Sequence, residues 1–212
     1  MMTPAEKHKQ AALVAAMQKE EVAQGSAYEL MLDQLAQQKR ELKNIKSREG
    51  KIALKQKILP QWSGYLDSQL TAKHPVQDEI IGQLLIWSID VGDYEQALNI
   101  GSVMLTAKLS LPAHFERDLE DALTEEMSEA WLRSNELKPS LEHLLTLKQL
   151  VDEYDLFDEV RAKLYRALGE AEYEAGHEEA AMINLRTAIS LNDKVGAKVL
   201  LNKLEKAHPE TD

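Results

Sequence analysis

The chain has 212 residues and a formal net charge of −11, from 25 Lys+Arg against 36 Asp+Glu, which is enough length for one or two small domains. It contains no cysteine, which excludes disulfides, thiolate zinc sites and thiol nucleophiles, and its 44% hydrophobic content excludes wholesale disorder. Gly, Pro and aromatic residues are few, and Leu, Ala, Glu, Lys and Gln outweigh Val and Ile, so sandwiches and barrels are excluded and an all-α fold is predicted.

Thr3-Pro4-Ala5-Glu6 reads as a capping box with Pro at the first helical position, which starts a helix expected to reach about Gln24. Gly25-Ser26 breaks it, and Ser26-Ala27-Tyr28-Glu29 caps a second helix with no stop before Leu59, where Pro60 follows; Gly50 is its weak point. With Tyr28 at position a of a heptad, the a positions are Tyr28, Leu35, Leu42, Glu49 and Gln56. The d positions are Met31, Gln38, Ile45, Ile52 and Leu59. Most are apolar, so this helix is expected to pack along much of its length, with Leu35, Leu42, Ile45 and Ile52 as candidate oligomerisation residues. Shorter helices are predicted over Pro60–Leu70, Val76–Val91, Tyr94–Leu109, Phe115–Asn135, Ser140–Tyr154, Asp158–Ala175, Glu178–Leu191 and Gly196–Ala207. Together these predict a helical region over 1–60, a candidate for oligomerisation, as a long hairpin or coiled-coil-like helix. A repeat-like α-helical domain over 61–212 follows.

Two of the helix pairs have tetratricopeptide-like spacing. In one, Tyr165, Leu168, Gly169, Gly176, Ala181, Leu185 and Ala188 fall at signature positions; in the other, Gly92, Tyr94 and Ala97 do. The turn glycines Gly92 and Gly176 are not separated by a multiple of 34 residues, so isolated hairpins are expected rather than a tandem array. Close helix packing and a peptide-binding groove are both compatible with them.

Charge is segregated. Between Ala36 and Pro60 there are eight basic residues (Lys39, Arg40, Lys43, Lys46, Arg48, Lys51, Lys55 and Lys57) against Glu41 and Glu49, a local charge of +6 that leaves −17 on the rest. None of the eight occupies an a or d position, so a packed seam and a cationic surface can share this segment. Phosphates are the natural partner of such a surface, and Lys39, Arg40, Lys43, Lys46, Lys51 and Lys55 are the candidate DNA-binding residues. No aromatic residue interleaves the basic run, which argues against stacking on single strands; a solvated coiled-coil face is the alternative.

Catalytic motifs are sparse. There is no GxxxxGK[ST] phosphate loop, and the six histidines (His8, His74, His114, His143, His177, His208) lack metal-ligand spacing. No metal site and no cofactor are predicted. The dense carboxylates are Asp118, Glu120, Asp121, Glu125, Glu126 and Glu129. Asp118, Asp121, Glu125 and Glu129 would share one helix face, where carboxylates could hold Mg²⁺ for phosphodiester cleavage or simply be solvated. Asp121 and Glu125 are the candidate catalytic residues on the first reading. No stretch approaches the ~18 apolar residues of a membrane helix, and the N-terminus lacks a signal-peptide core, so a soluble intracellular protein is expected.

Several segments together resemble the small terminase subunit of temperate contractile-tailed bacteriophages, the GpM type, conventionally named the terminase endonuclease subunit. They are Thr3-Pro4-Ala5 with His8, Tyr28-Glu29-Leu30-Met31-Leu32 with Leu35-Ala36, Leu59-Pro60-Gln61-Trp62, and Gln77-Asp78-Glu79-Ile80. Trp87 with Asp90-Val91-Gly92-Asp93-Tyr94-Glu95-Gln96-Ala97-Leu98 is the most specific, and Leu109-Ser110-Leu111-Pro112 and Asp158-Glu159-Val160-Arg161-Ala162-Lys163-Leu164 complete the set. The resemblance implies a role in packaging phage DNA in the cytoplasm of a bacterial host. It also implies double-stranded phage DNA, a large ATPase subunit and further copies of the chain as partners, and no membrane. The family name assigns the packaging cut to this subunit, for which Mg²⁺ would be the cofactor.

Overall fold

The computed structural model describes residues 27–133 and 137–207, and every regular element among them is helical. The helix expected from Thr3 to Gln24 lies outside the described residues. The chain divides into two units, Met1–Lys51 and Ile52–Asp212.

In the first unit, helix α1 spans 27–44 and then stops. The single helix expected to run on to Leu59 is therefore two: residues 45–47 are non-helical, and α2 (Arg48–Ile58) starts afresh. The cause is local. Ile45 N–H closes a tight turn onto the Leu42 carbonyl at 3.2 Å. Ser47 Oγ then accepts from Gly50 N–H at 3.2 Å, acting as an N-cap for the new helix. A Cβ on Gly50 would lie 2.7 Å from Ser47 Oγ and 2.8 Å from Ile45 Cγ2. Gly50 is thus where the cap and Ile45 close in, and the break lies upstream of it. On α1, Leu35, Gln38 and Leu42 are buried within the single chain, as the first part of the heptad stripe requires.

In the second unit, a 3-10 turn (Leu59–Trp62) with Pro60 in its first turn leads into α3 (Ser63–Thr71). Helix α4 (Glu79–Val91) begins later than the sequence predicts because Asp78 is its cap, accepting from Ile80 and Ile81 N–H. It buries nine of its 13 residues, among them Ile80, Ile81, Leu84, Leu85 and Trp87, and so has no solvent stripe. At roughly 1.5–3 kcal/mol per large apolar side chain, this helix is the centre of the fold's stability. Gly92 ends it at φ 82°, and Asp93 caps α5 (Tyr94–Thr106). The chain then crosses α4 so closely that a Cβ on Gly82 would lie 2.6 Å from Pro112 Cδ.

Helix α6 (Leu119–Leu132) is followed by α7 (Leu141–Val151), opened by a capping box in which Ser140 and His143 satisfy each other's backbone N–H. Helices α8 (Asp158–Glu174) and α9 (Glu178–Leu191) form the most extensive packed pair, and α10 (Lys198–Ala207) covers α9. Gly176 turns the α8–α9 hairpin at φ 82°, and a Cβ on Gly169 would lie 2.6 Å from Leu185 Cγ and 3.2 Å from the Ala181 carbonyl. The small residues singled out in the sequence thus bring two helices into close contact. Ala181, Leu185, Ala188, Ala197, Leu201 and Leu204 form the core of this end.

Candidate nucleic-acid interface and the acidic helix

Lysine and arginine choose between two fates in this molecule. In the first unit, Lys39, Arg40 and Lys43 on α1, Lys46 in the break and Arg48 at the start of α2 are all exposed, and Lys51 is half-buried. None of the six has a side-chain ion pair or hydrogen bond among the described residues. Lys39 and Lys43 are four apart, and Arg40 and Lys43 three, so these three share a helix face. Among the described residues no carboxylate neutralises them, which is the condition under which phosphate binding gains from counterion release.

Lys55, also a candidate, belongs to the second unit and differs. Its stem is largely buried and its ammonium is paired with the Asp90 carboxylate on α4. Lys57, in the basic run but not among the candidates, is exposed, as is Arg48. Of the candidate oligomerisation residues, Leu35 and Leu42 are buried within one chain, while Ile45 and Ile52 are half-buried. Leu35 and Leu42 lie along α1, Ile45 in the break and Ile52 on α2, so they do not form one continuous helical seam.

The acidic helix α6 is built the opposite way. Asp121 is buried, and its Oδ1 accepts from Phe157 N–H at 3.1 Å, fixing the entry to α8. Glu125 faces α8, where Lys163 donates to its Oε1 at 2.5 Å while Arg117 pairs with its other oxygen. Lys163 also donates to Glu129 at 2.7 Å, and Arg133 reaches Glu129 at 2.5 Å. Burial disfavours charge on both Glu129 and Lys163. Their mutual hydrogen bonds, with Arg133 and Glu125, outweigh it, so the Glu129 carboxyl is held below its ordinary value and the Lys163 ammonium above its own. Glu126 is different: desolvation outweighs Arg133, and its carboxyl is pushed up. The candidate catalytic pair is thus divided, with Asp121 turned to backbone and Glu125 to two cations. Among the described residues no group of three His, Cys, Asp or Glu is placed to hold a metal ion. The partner Lys163 was not legible as such, because it lies 38 residues from Glu125, whereas Arg133 and Glu129 stand at i,i+4, a signal the sequence does carry.

Among the described residues no helix is long and apolar enough to cross a membrane, and no solved structure matches the chain. Its relatives are found by sequence. The terminase endonuclease subunit of Escherichia phage P2 is 31% identical over 211 residues, covering 97% of this chain and 85% of that protein. Residues 32–159, which run from α1 into α8, match the phage small terminase subunit family. With a family match over more than half its length and a relative aligned over nearly all of it, the chain belongs to the phage small terminase subunit family, which serves phage DNA packaging.

Proposed function

We propose that this chain is the DNA-engaging and assembly subunit of the packaging terminase. In this reading it grips double-stranded viral DNA through Lys39, Arg40, Lys43, Lys46 and Lys51. It works as a homo-oligomer with a large subunit that supplies ATP hydrolysis, in the cytoplasm of the bacterial host. The observation that carries this reading is a set of cations with no carboxylate partner among the described residues, on a protein whose remaining charge is −17. Elsewhere the negative surface repels DNA, so binding is oriented by the one attractive segment. Lysine and arginine contacts to phosphates position the duplex without reading its bases, and specific and non-specific duplexes should therefore weaken together when they are removed. The division of labour between residues 1–60 and 61–212 is part of the same proposal: the first region holds the DNA, and the second is the helical body.

The test is duplex affinity measured at several salt concentrations. If roughly four phosphates are neutralised per subunit, log K falls with log[salt] at a slope of about −3.6. A slope near zero would overturn the reading.

A second reading rests on the name of the phage P2 relative, a terminase endonuclease subunit. In it Asp121 and Glu125 take part in a Mg²⁺-dependent cut. The engagement of Asp121 by Phe157 N–H and of Glu125 by Arg117 and Lys163 favours the non-cutting reading. Purified protein is expected to leave duplex DNA intact in Mg²⁺ or Mn²⁺. Cleavage abolished by Asp121→Ala or Glu125→Ala would reverse the preference.

A further inference from the structure

We infer that the cleft flanked by α6 and the start of α8 is a docking site for the cationic face of α1 from a second copy of this chain. The cleft has a volume of about 590 Å³ and is lined by Glu116, Arg117, Glu125, Phe157, Glu159 and Lys163, among others. Its interior charges pair with one another, because Arg117 and Lys163 hold the two oxygens of Glu125. Its rim charges do not: Glu116 and Glu159 are exposed and have no ion pair among the described residues. Phe157 stands in this setting with 64% of its surface exposed. Its backbone is fixed, since its N–H is tied to buried Asp121 and its carbonyl accepts from Val160 and Arg161 N–H. An exposed aromatic side chain on a fixed backbone, beside acids with no ion pair among the described residues, offers an anchor for a partner.

Charge complementarity identifies the occupant. Lys39, Arg40 and Lys43 share a face of α1, are exposed, and have no carboxylate partner among the described residues. Their ammonium and guanidinium groups suit Glu116 and Glu159, and their alkyl stems and charges suit the face of Phe157. Because the two surfaces differ, the contact is head-to-tail, and repetition of it builds a ring or a filament. It uses cations assigned above to DNA, so duplex and neighbouring subunit compete for them. The inference stands without the DNA reading, since it requires only that the same face meets carboxylates.

The simpler role for Glu159, stabilising the N-terminus of α8 through the helix dipole, predicts a change in melting temperature and none in mass. The experiment is therefore sedimentation of the full chain at about 50 mM and about 500 mM salt, with circular dichroism on every variant. Self-association of the unaltered chain should weaken at least tenfold at the higher salt. Glu116→Lys with Glu159→Lys, and separately Lys39→Glu with Arg40→Glu and Lys43→Glu, should each weaken it at least tenfold. An equimolar mixture of the two reversed chains should associate again, and Phe157→Ala should weaken association about tenfold. If the acid-side reversal fails to fold, Glu116→Gln with Glu159→Gln replaces it and should weaken association severalfold. The acid-side variants should bind duplex DNA at least as tightly as the unaltered chain, because the competing contact is gone. A basic-side variant that loses DNA but associates unchanged overturns the docking and leaves the DNA reading standing. A chain that is monomeric at both salts, an association indifferent to salt and to both reversals, or a mixture no better than its components, overturns the docking as well.

Discussion

The segment over 39–51 and the α6–α8 interface contain the same kinds of charged residue and put them to opposite uses. At α6–α8 every cation of the network has its carboxylate: Lys163 holds Glu125 and Glu129, Arg117 holds Glu125, and Arg133 holds Glu129. These charges are internally spent: Lys163 joins α8 to α6, and Arg117 and Arg133 hold the carboxylates of α6 from its two ends. In the first unit the cations stand in solvent without carboxylates among the described residues. A basic run identifies a potential surface; whether its charges are already paired decides whether that surface is available to phosphate.

The sharpest way to break this comparison is to remove unpaired cations. Lys39→Ala, Lys43→Ala and Lys46→Ala together should lower duplex affinity by about two orders of magnitude near 0.1 M salt and make the salt slope shallower by nearly three units. Melting temperature should stay the same, because exposed lysines contribute little to folding. A salt titration followed by fluorescence anisotropy reads both numbers, and an unchanged slope would move the DNA contact off this segment.

The reciprocal change removes a paired cation. Lys163→Met keeps the stem and deletes the charge, leaving Glu125 and Glu129 with one fewer donor each. The three side chains are partly solvated, so the loss is about 1–2 kcal/mol rather than the larger figure for a fully buried pair. For a chain of this size that corresponds to a fall in melting temperature of roughly 2–8 °C in calorimetry, with duplex affinity unaltered. A variant that melts normally would show that the network is ornamental.

Lys55 sharpens the comparison, because its sequence neighbours class it with the DNA cations and its geometry classes it with the network. Its ammonium is on Asp90. Lys55→Met should therefore cost about 1 kcal/mol of stability and leave the salt slope where it was. A double-mutant cycle with Asp90→Asn should return a coupling near the same value. A slope that shallows by a full unit would place Lys55 on the DNA after all.

That residue also shows where reading the sequence stops. Helix α9 was legible to the residue, Glu178–Leu191, because Gly176 provides the left-handed turn before it and two glutamates favour its first turn. The helix start at Ser140, the Gly92 turn and the close approach at Gly169 were legible for the same reason: each is decided by a few neighbouring residues. The break at 45–47 was not, since it contains neither Gly nor Pro, and its only marker is Ser47 accepting from Gly50 N–H. The tetratricopeptide-like spacing correctly marked small residues at the α8–α9 contact, yet spacing alone does not establish that architecture. Of the candidate site, the basic run was visible as composition. The pairing of Lys55 with Asp90 and of Lys163 with Glu125 was not, because each joins residues 35 or more positions apart. Charge is local information, and pairing is tertiary.

The smallest effect is in pH, and its sign separates two adjacent glutamates. Burial acts against the Glu129 charge, but the hydrogen bonds from Lys163 and Arg133 prevail, so its folded-state carboxyl titrates below the ordinary 4.5. Stability from Glu129 is therefore present above that value and is lost as pH falls through the lower folded-state value. For Glu126, desolvation prevails and the folded-state carboxyl titrates above 4.5. Its ionised form weakens the fold at neutral pH, and protonation relieves that as pH falls. Lys163 has the mirror window: its raised folded-state value means that its contribution is intact below 10.5 and disappears as pH rises beyond it. Glu129→Gln should therefore lower stability at pH 7 and flatten its decline below about pH 4.5. Glu126→Gln should raise stability at pH 7 and leave that decline in place. With both side chains partly open to solvent, each change is a few tenths of a kcal/mol, about 1 °C in melting temperature. Thermal melts of the two variants from pH 3.5 to 7 measure the difference. Parallel curves would mean that the two carboxylates share one environment and that Lys163 does not distinguish them.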